Sequence, residues 1–176
     1  MKINKTKIDG LYLIDGFRFK DIRGDLIKPF NYGSYDTLKV NLNFKETWFT
    51  RSKKGVIRGM HLQIGEMESE KLVSIINGNI LDVVLDLRKD SITYGEYFEI
   101  ELNDIEPKSL YIPKGCAHGY KALENNTITI YMSTKVYSAP HDLGVKWNSF
   151  GYNWKIENPI ISDKDQNLID FKNYNK

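Results

Sequence analysis

Apolar and β-branched residues recur in about ten short runs, with turn residues roughly every 8–12 positions and no sustained helical period. This cadence limits the fold more than any other feature of the chain. Ranges 7–14, 16–20, 71–76, 79–87, 96–102, 121–123 and 127–136 read as strands, and 109–113 lead into the Lys114 to Tyr120 stretch. Residues 38–50 alternate polar and apolar with period two, the pattern of a half-buried strand. Asn77-Gly78 is a hairpin turn, and Asp21 to Asp25 form a turn cluster. Leu26-Ile27 precede Pro29, which places any strand there at an edge. Residues 31–37 read as loop, and Glu66, Glu68 and Glu70 as a solvated acidic loop. The tail from residue 137 is loop-rich, with one short helix expected over 164–172. Repeats, linkers and low-complexity tracts are absent, so the expectation is one all-β domain over residues 1–176, a double-sheet barrel.

Composition excludes several partner classes. Hydrophobic residues make up 41% and charged residues 27%, so a real core is possible and disorder is not the default. A net charge of +2 and the lack of a dense Lys/Arg run with interleaved aromatics argue against nucleic acid. Apolar runs fall short of the ~20 residues of a membrane helix, and the N-terminus lacks the apolar core of a signal peptide. A single cysteine, Cys116, rules out an intrachain disulfide and fits a reducing, cytoplasmic setting. The eleven Tyr and three Trp fit either an all-β core or an aromatic-lined pocket. An exposed N-terminal strand would carry unpaired backbone groups and favour pairing with a second chain.

The chemistry concentrates in Gly55-Val56-Ile57-Arg58-Gly59-Met60-His61-Leu62-Gln63. Strict alternation puts Ile57, Gly59 and His61 on one face and Arg58, Met60 and Leu62 on the other. An imidazole beside apolar residues on an inward face needs a partner: a carbonyl if His61 is plain core, a functional group if it is not. A second histidine, His118, lies between Ala117 and Gly119. Glycines beside a His let backbone or ligand approach closely. With Arg58, Lys71, Tyr131 and Tyr137 nearby, two inward histidines would line a cationic, aromatic mouth suited to an anion bearing a ring. A metal centre built on His61, His118 and Glu66 or Glu68 is the competing reading. It lacks the close His pair, because Gln63 stands two residues after His61, so a metal-free acid–base site is favoured. Each residue also has a plain reading: Tyr131 as core, Lys71 as a solvated strand start, Arg23 and Arg58 as partners of Asp21, Asp25 or Glu46. Asp82 and Asp86 read as structural polar groups of a strand.

RGMHLQ, KLVSIINGNILDVVLDLRKDSITYGEY, LYIPKGCAHGYKAL, IYMSTKVYSAPHDLGVKWN and ISDKD follow one another in a distinctive order and spacing. In these the chain resembles the dTDP-4-dehydrorhamnose 3,5-epimerase family over most of residues 17–165. The resemblance implies a cupin-type jelly roll (a double-stranded β-helix), a homodimer, no metal or other cofactor, and a nucleotide-linked 4-keto sugar as substrate. Residue by residue it implies His61 as general base, Asp165 as the carboxylate that orients it, Tyr131 as the opposing acid and Lys71 as the cation near the oxyanion. It implies diphosphate contacts at Arg23, Arg58 and Lys164, sugar or site-shaping contacts at His118 and Asp142, and base stacking by Tyr137. The family usually carries Glu where this chain has Asp142.

These residue types suit the reaction. A ketone at carbon 4 acidifies the protons on carbons 3 and 5, and removing one near neutral pH calls for a base such as imidazole. The enolate gains about one negative charge, so a prepositioned Lys71 or His118 should lower the barrier by several kcal/mol. Inversion needs a donor on the opposite face, the place for Tyr131, and one base–acid pair serves both carbons if the ring shifts between steps. Related enzymes invert one carbon or both, and their products feed surface polysaccharide or capsule. Two departures from the family bear on the nucleotide. Lys28 replaces an acid, and Glu46-Thr47-Trp48 replaces a Gln-Asp-Asn trio that helps hold thymidine. The larger aromatic surface of Trp48 favours a purine, so the expected substrate is GDP-linked, a 4-keto-6-deoxyhexose or a 4-keto-heptose, with dTDP as the alternative.

Overall fold

The alternating segments pair as two antiparallel sheets in a computed structural model that describes residues 2–35, 40 and 42–174. The first sheet contains β1 (Lys2–Lys5), β2 (Tyr12–Asp15), β5 (Glu46–Ser52), β7 (Lys71–Asn77), β10 (Lys108–Ile112) and β12 (Thr127–Ser133), in the order β1-β2-β10-β7-β12-β5. The second contains β6 (Ile57–Gln63), β8 (Asn79–Asp86), β9 (Tyr97–Asn103), β11 (Cys116–Ala122) and β13 (Asp142–Gly144), in the order β13-β6-β11-β8-β9. A separate hairpin joins β3 (Phe17–Asp21) to β4 (Gly24–Lys28). The architecture is thus the expected all-β cupin-type jelly roll, with its sheets facing each other and not closed into a continuous barrel. Helix is confined to one turn, α1 (Asp163–Gln166), and short 3-10 segments. Among the described residues no helix is long and apolar enough to cross a membrane.

The inner faces meet in a core that includes Ile8, Leu11, Val73, Ile80, Val84, Leu110 and Tyr120, all within 1% of full burial. Each such aliphatic side chain contributes roughly 1.5–3 kcal/mol when withdrawn from water. A second cluster fills the outer side of β6, β8 and β11 with Ile57, Met60, Leu62, Val83, Leu85 and Trp154, and the C-terminal segment covers it. β11 is buried along its whole length and begins at Cys116, where the sequence reading began the strand only at residue 121.

Several element bounds differ from the sequence reading. The strand expected over 7–14 begins at Tyr12, because Thr6 to Leu11 form a turn closed by the Leu11 N–H to the Ile8 carbonyl. Of the strand expected over 38–50, Leu38, Lys39 and Asn41 lie outside the described residues and pairing starts only at Glu46. Val40, Leu42 and Phe44 nevertheless pack against Ile14, Leu72 and Tyr111, so the period-two pattern records burial without a ladder. In the loop expected over 31–37, Tyr32–Tyr35 form a 3-10 turn, and Asp36 and Thr37 lie outside the described residues. The strand expected over 127–136 ends at Ser133, and the helix expected over 164–172 resolves into α1 and a 3-10 turn at Phe171–Asn173. Glu70 is not solvated: its carboxylate accepts from the Thr134 hydroxyl at 2.5 Å.

One irregularity governs the site. In the pairing of β6 with β11, His61 faces His118 and Arg58 faces Tyr120, so three steps along β6 match two along β11. This β-bulge shifts the alternation by one residue. The expected faces are therefore corrected: Ile57, Met60 and Leu62 turn together into the outer cluster, and Arg58 and His61 together line the cavity. Glycine is required where the strands touch. A Cβ on Gly59, whose φ is +126°, would lie 2.5 Å from the Gly119 Cα, and one on Gly119 would lie 2.7 Å from the Arg58 carbonyl oxygen. Gly119→Ala should cost about 1–3 kcal/mol of stability, typical of overpacking against rigid backbone. Urea denaturation checks this, and an unchanged midpoint would show that the strands tolerate separation.

Candidate active site

β6, β7, β11 and β12 deliver polar side chains into one cavity between the sheets, with α1 closing its side. Two contiguous chambers of about 370 and 260 Å³ share Trp48, His61 and Lys71. The inner chamber is lined by Arg58, His118, Tyr131, Lys164 and Asp165, and the outer by Glu46, Gln63, Tyr137 and Asp142.

The Nε2 atom of His61 lies 2.7 Å from Oδ1 of Asp165. The other carboxylate oxygen, Oδ2, accepts the Gly59 N–H at 3.0 Å, so Asp165 grips both the imidazole and the strand that carries it. Asp165 is only 3% exposed. Burial alone would raise its pKa, but the hydrogen bonds from His61, Gly59 and Ser162 win and hold the carboxyl below its ordinary value. Ser162 caps α1 by accepting the Asp165 N–H. With Nε2 committed to Asp165, Nδ1 is the ring nitrogen left able to accept a proton.

His118 forms a second imidazole–carboxylate pair, its Nε2 lying 2.8 Å from Oδ2 of the fully buried Asp82. Its ring meets Tyr131 edge-on at 5.9 Å. Tyr131 is 6% exposed, and burial pushes its phenol well above the ordinary value. The Lys71 ammonium sits near the His61 carbonyl, at 3.5 Å. Burial brings it down to about 8, Asp142 opposes that shift and Lys164 adds to it. Lys71 is therefore not the solvated strand start that its position permits. Lys164 reaches across to pair with Asp142.

The structure brings together eleven of the thirteen residues singled out from the sequence: Glu46, Trp48, Arg58, His61, Lys71, His118, Tyr131, Tyr137, Asp142, Lys164 and Asp165. It does not bring Arg23 and Lys28 there. They lie on the β3–β4 hairpin, where Arg23 pairs with Asp21 and the Lys28 ammonium sits 5.8 Å from the Phe17 ring. Arg58 pairs with neither Asp21, Asp25 nor Glu46: its Nε donates to the Ser52 hydroxyl at 3.1 Å. The Trp48 indole stacks on the Tyr131 ring, with centroids 5.0 Å apart and planes 6° apart, and the residue lines both chambers. Glu46 accepts the Tyr137 N–H at 2.7 Å and so shapes the outer chamber through backbone. The metal reading fares poorly on geometry, since among the described residues no three His, Cys, Asp or Glu side chains converge to hold an ion.

Sequence reasoning missed Thr50, Ser52, Gln63, Asp82, Tyr120 and Ser162. Period two from Trp48, His61 and His118 places Thr50, Gln63 and Tyr120 on the same faces, and Ser162-x-x-Asp165 is a capping pattern. Asp82 carried no such signal, since its partner comes from a strand far along the chain.

Comparison with known proteins agrees with this geometry. The family described as dTDP-4-dehydrorhamnose 3,5-epimerase matches residues 5–173. The dTDP-4-dehydrorhamnose 3,5-epimerase of Methanothermobacter thermautotrophicus is 37% identical over 168 residues, covering 93% of this chain and 90% of that one. A crystal structure of dTDP-4-dehydrorhamnose 3,5-epimerase from Elizabethkingia anophelis matches with a TM-score of 0.92 at 35% identity, covering 100% of this chain and 99% of that one. The dTDP-6-deoxy-D-glucose-3,5-epimerase of Legionella pneumophila, solved with dTDP-4-keto-L-rhamnose, matches with a TM-score of 0.92 at 29% identity, covering 98% and 94%. A cavity holding two imidazole–carboxylate pairs on this fold, matched along nearly its whole length, makes the chain a member of the dTDP-4-dehydrorhamnose 3,5-epimerase family, an isomerase of nucleotide-linked sugars.

Proposed function

We propose that this protein inverts carbon 3, carbon 5 or both of a dTDP-linked 4-keto-6-deoxyhexose, without a metal, using His61 as base and Tyr131 as acid. The observation that carries this reading is the His61–Asp165 hydrogen bond at 2.7 Å in a cavity shared with Lys71 and Tyr131. Asp165 fixes the proton on Nε2, so Nδ1 takes the hydrogen from the carbon beside the ketone. The electron pair moves onto the carbonyl oxygen, where Lys71 and His118 meet the new charge. Tyr131 then gives its proton to the opposite face of the same carbon. Arg58 and Lys164 offer cations for the diphosphate, and Tyr137, half exposed in the outer chamber, offers a face for the base.

One observation supports dTDP over the GDP expected from Trp48. The relatives above are named for dTDP-linked sugars. A homodimer fits the same reading. β1 is an edge strand, and the hairpin leaves Phe17, Phe19 and Leu26 about half exposed. Arg23 and Lys28 on that hairpin would serve the nucleotide of a second copy, an arrangement that sedimentation as a stable monomer would remove. The product would be an activated sugar for surface polysaccharide.

In deuterated water the wild-type protein should invert a dTDP-linked 4-keto-6-deoxyglucose and label the inverted carbons, and the GDP-linked sugar should react more slowly. His61→Asn should lower both labelling and inversion by about 10²–10⁴-fold with the fold retained. Tyr131→Phe should keep labelling and lose inversion. Labelling that survives in the His61 variant, or a preference for the GDP sugar, would contradict the reading.

Lys71 gives the reaction a pH dependence. The cation is the useful form, so its contribution is present below its pKa of about 8 and lost above it. The kcat/KM of the wild type should therefore fall as pH rises through that value, and Lys71→Met should lower kcat/KM about 10²–10³-fold and remove this limb. A limb unchanged in the variant would assign it to another group.

A further inference from the structure

Past the end of β12 at Ser133, the chain runs along the mouth of the outer chamber, and residues 136–138 belong to no strand or helix. On one side of them the Thr134 N–H donates to the Glu70 carbonyl at 3.1 Å, and on the other the Ile64 N–H donates to the His141 carbonyl at 3.0 Å. Between these two anchors, among the described residues, the bonds from this backbone to neighbouring strands end on side chains. Glu46 on β5 accepts the Tyr137 N–H at 2.7 Å. Gln63 on β6 accepts the Ser138 N–H through Oε1 at 2.6 Å and donates through Nε2 to the Val136 carbonyl at 3.2 Å. Three successive residues are thus gripped by two side chains, one from each sheet.

The orientation of the Gln63 amide is set by its partners. Nε2 also donates to the Met67 carbonyl at 3.2 Å, so the NH2 group faces two carbonyls and Oε1 faces an N–H. Turned over, the amide would set its hydrogens against that N–H. Gln63 is 7% exposed, so water does not readily replace these bonds. Tyr137 itself is 58% exposed, so packing does not hold its ring. The place of that ring at the mouth follows from the backbone beneath it.

We propose that Gln63 and Glu46 clamp the backbone of residues 136–138 and so hold Tyr137 ready for the base of the nucleotide. The inference rests on the reading of Tyr137 as the face that the base stacks on, and it adds two positioning residues to that reading. A ring carried on a loose segment is ordered only as the ligand binds, and the affinity falls by the fraction of the time that the segment is competent. A segment held in place beforehand avoids that loss.

The test is calorimetry with dTDP as the probe. Gln63→Met removes both the donors and the acceptor at similar length, and Glu46→Ala removes the other acceptor. Each should weaken dTDP binding about tenfold, the effect of lowering the competent fraction to about a tenth. Glu46→Gln, which keeps an oxygen for the Tyr137 N–H, should stay near wild type. Placed in a Tyr137→Ala background, Gln63→Met and Glu46→Ala should cause no further loss, because residues that act through one another are not additive. If Gln63→Met does not fold, Glu46→Ala against Glu46→Gln, alone and in the Tyr137→Ala background, carries the same comparison. Unchanged affinity in the folded clamp variants, with binding weakened in Tyr137→Ala, overturns the clamp and leaves the stacking in place. A full further loss in the Tyr137→Ala background also overturns it, by showing that these side chains act on the nucleotide without Tyr137. Unchanged affinity in Tyr137→Ala overturns the stacking itself, and the clamp's role with it.

Discussion

The bond between His61 and Asp165 ties α1 to β6, a few residues beyond the parallel bridge that joins Val56 to Ile160. Asp165 sits on a four-residue helix, far too short to persist alone, where isolated helices need about 12–15 residues. Ser162 caps that helix, and the two oxygens of Asp165 bond one to His61 and one to Gly59. The same carboxylate thus fixes the helix against β6 and sets which imidazole nitrogen carries the proton, and in the proposed reaction it would face the imidazolium.

The strand under this bond is shaped for it. A one-residue bulge turns Arg58 and His61 to the same side, and paired glycines let β6 and β11 approach closely at that point. His61 and His118 then stand side by side across the ladder, each tied to its own buried carboxylate. One carboxylate comes from the C-terminal segment and the other from β8, so the two imidazoles are anchored from different directions. A buried imidazole without such a partner would cost several kcal/mol, which the pairing avoids.

The fold was legible because alternation and turn residues report burial directly. Val40, Leu42 and Phe44 show the limit of that signal: they bury as predicted, yet their backbone does not join a ladder. The candidate site was legible where motifs named residue types at fixed spacing, as with His61, Tyr131 and Asp165. What period two could not reveal was the bulge, since one inserted residue inverts every face assignment downstream of it. Nor could it show that the indole of Trp48 stacks on Tyr131, or that Asp82 belongs to His118, because both contacts cross between strands distant in sequence.

Trp48 and Glu46 both act on their neighbours: one stacks on the Tyr131 ring, the other holds the backbone at Tyr137. The proposed reaction rests on the tautomer of His61. Nitrogen-15 NMR of the imidazole rings, at a pH where His61 is neutral, reads that tautomer directly. The account predicts a proton on Nε2 and a bare Nδ1, with the preference weakened in Asp165→Asn. A proton resident on Nδ1 in the wild-type protein would contradict it.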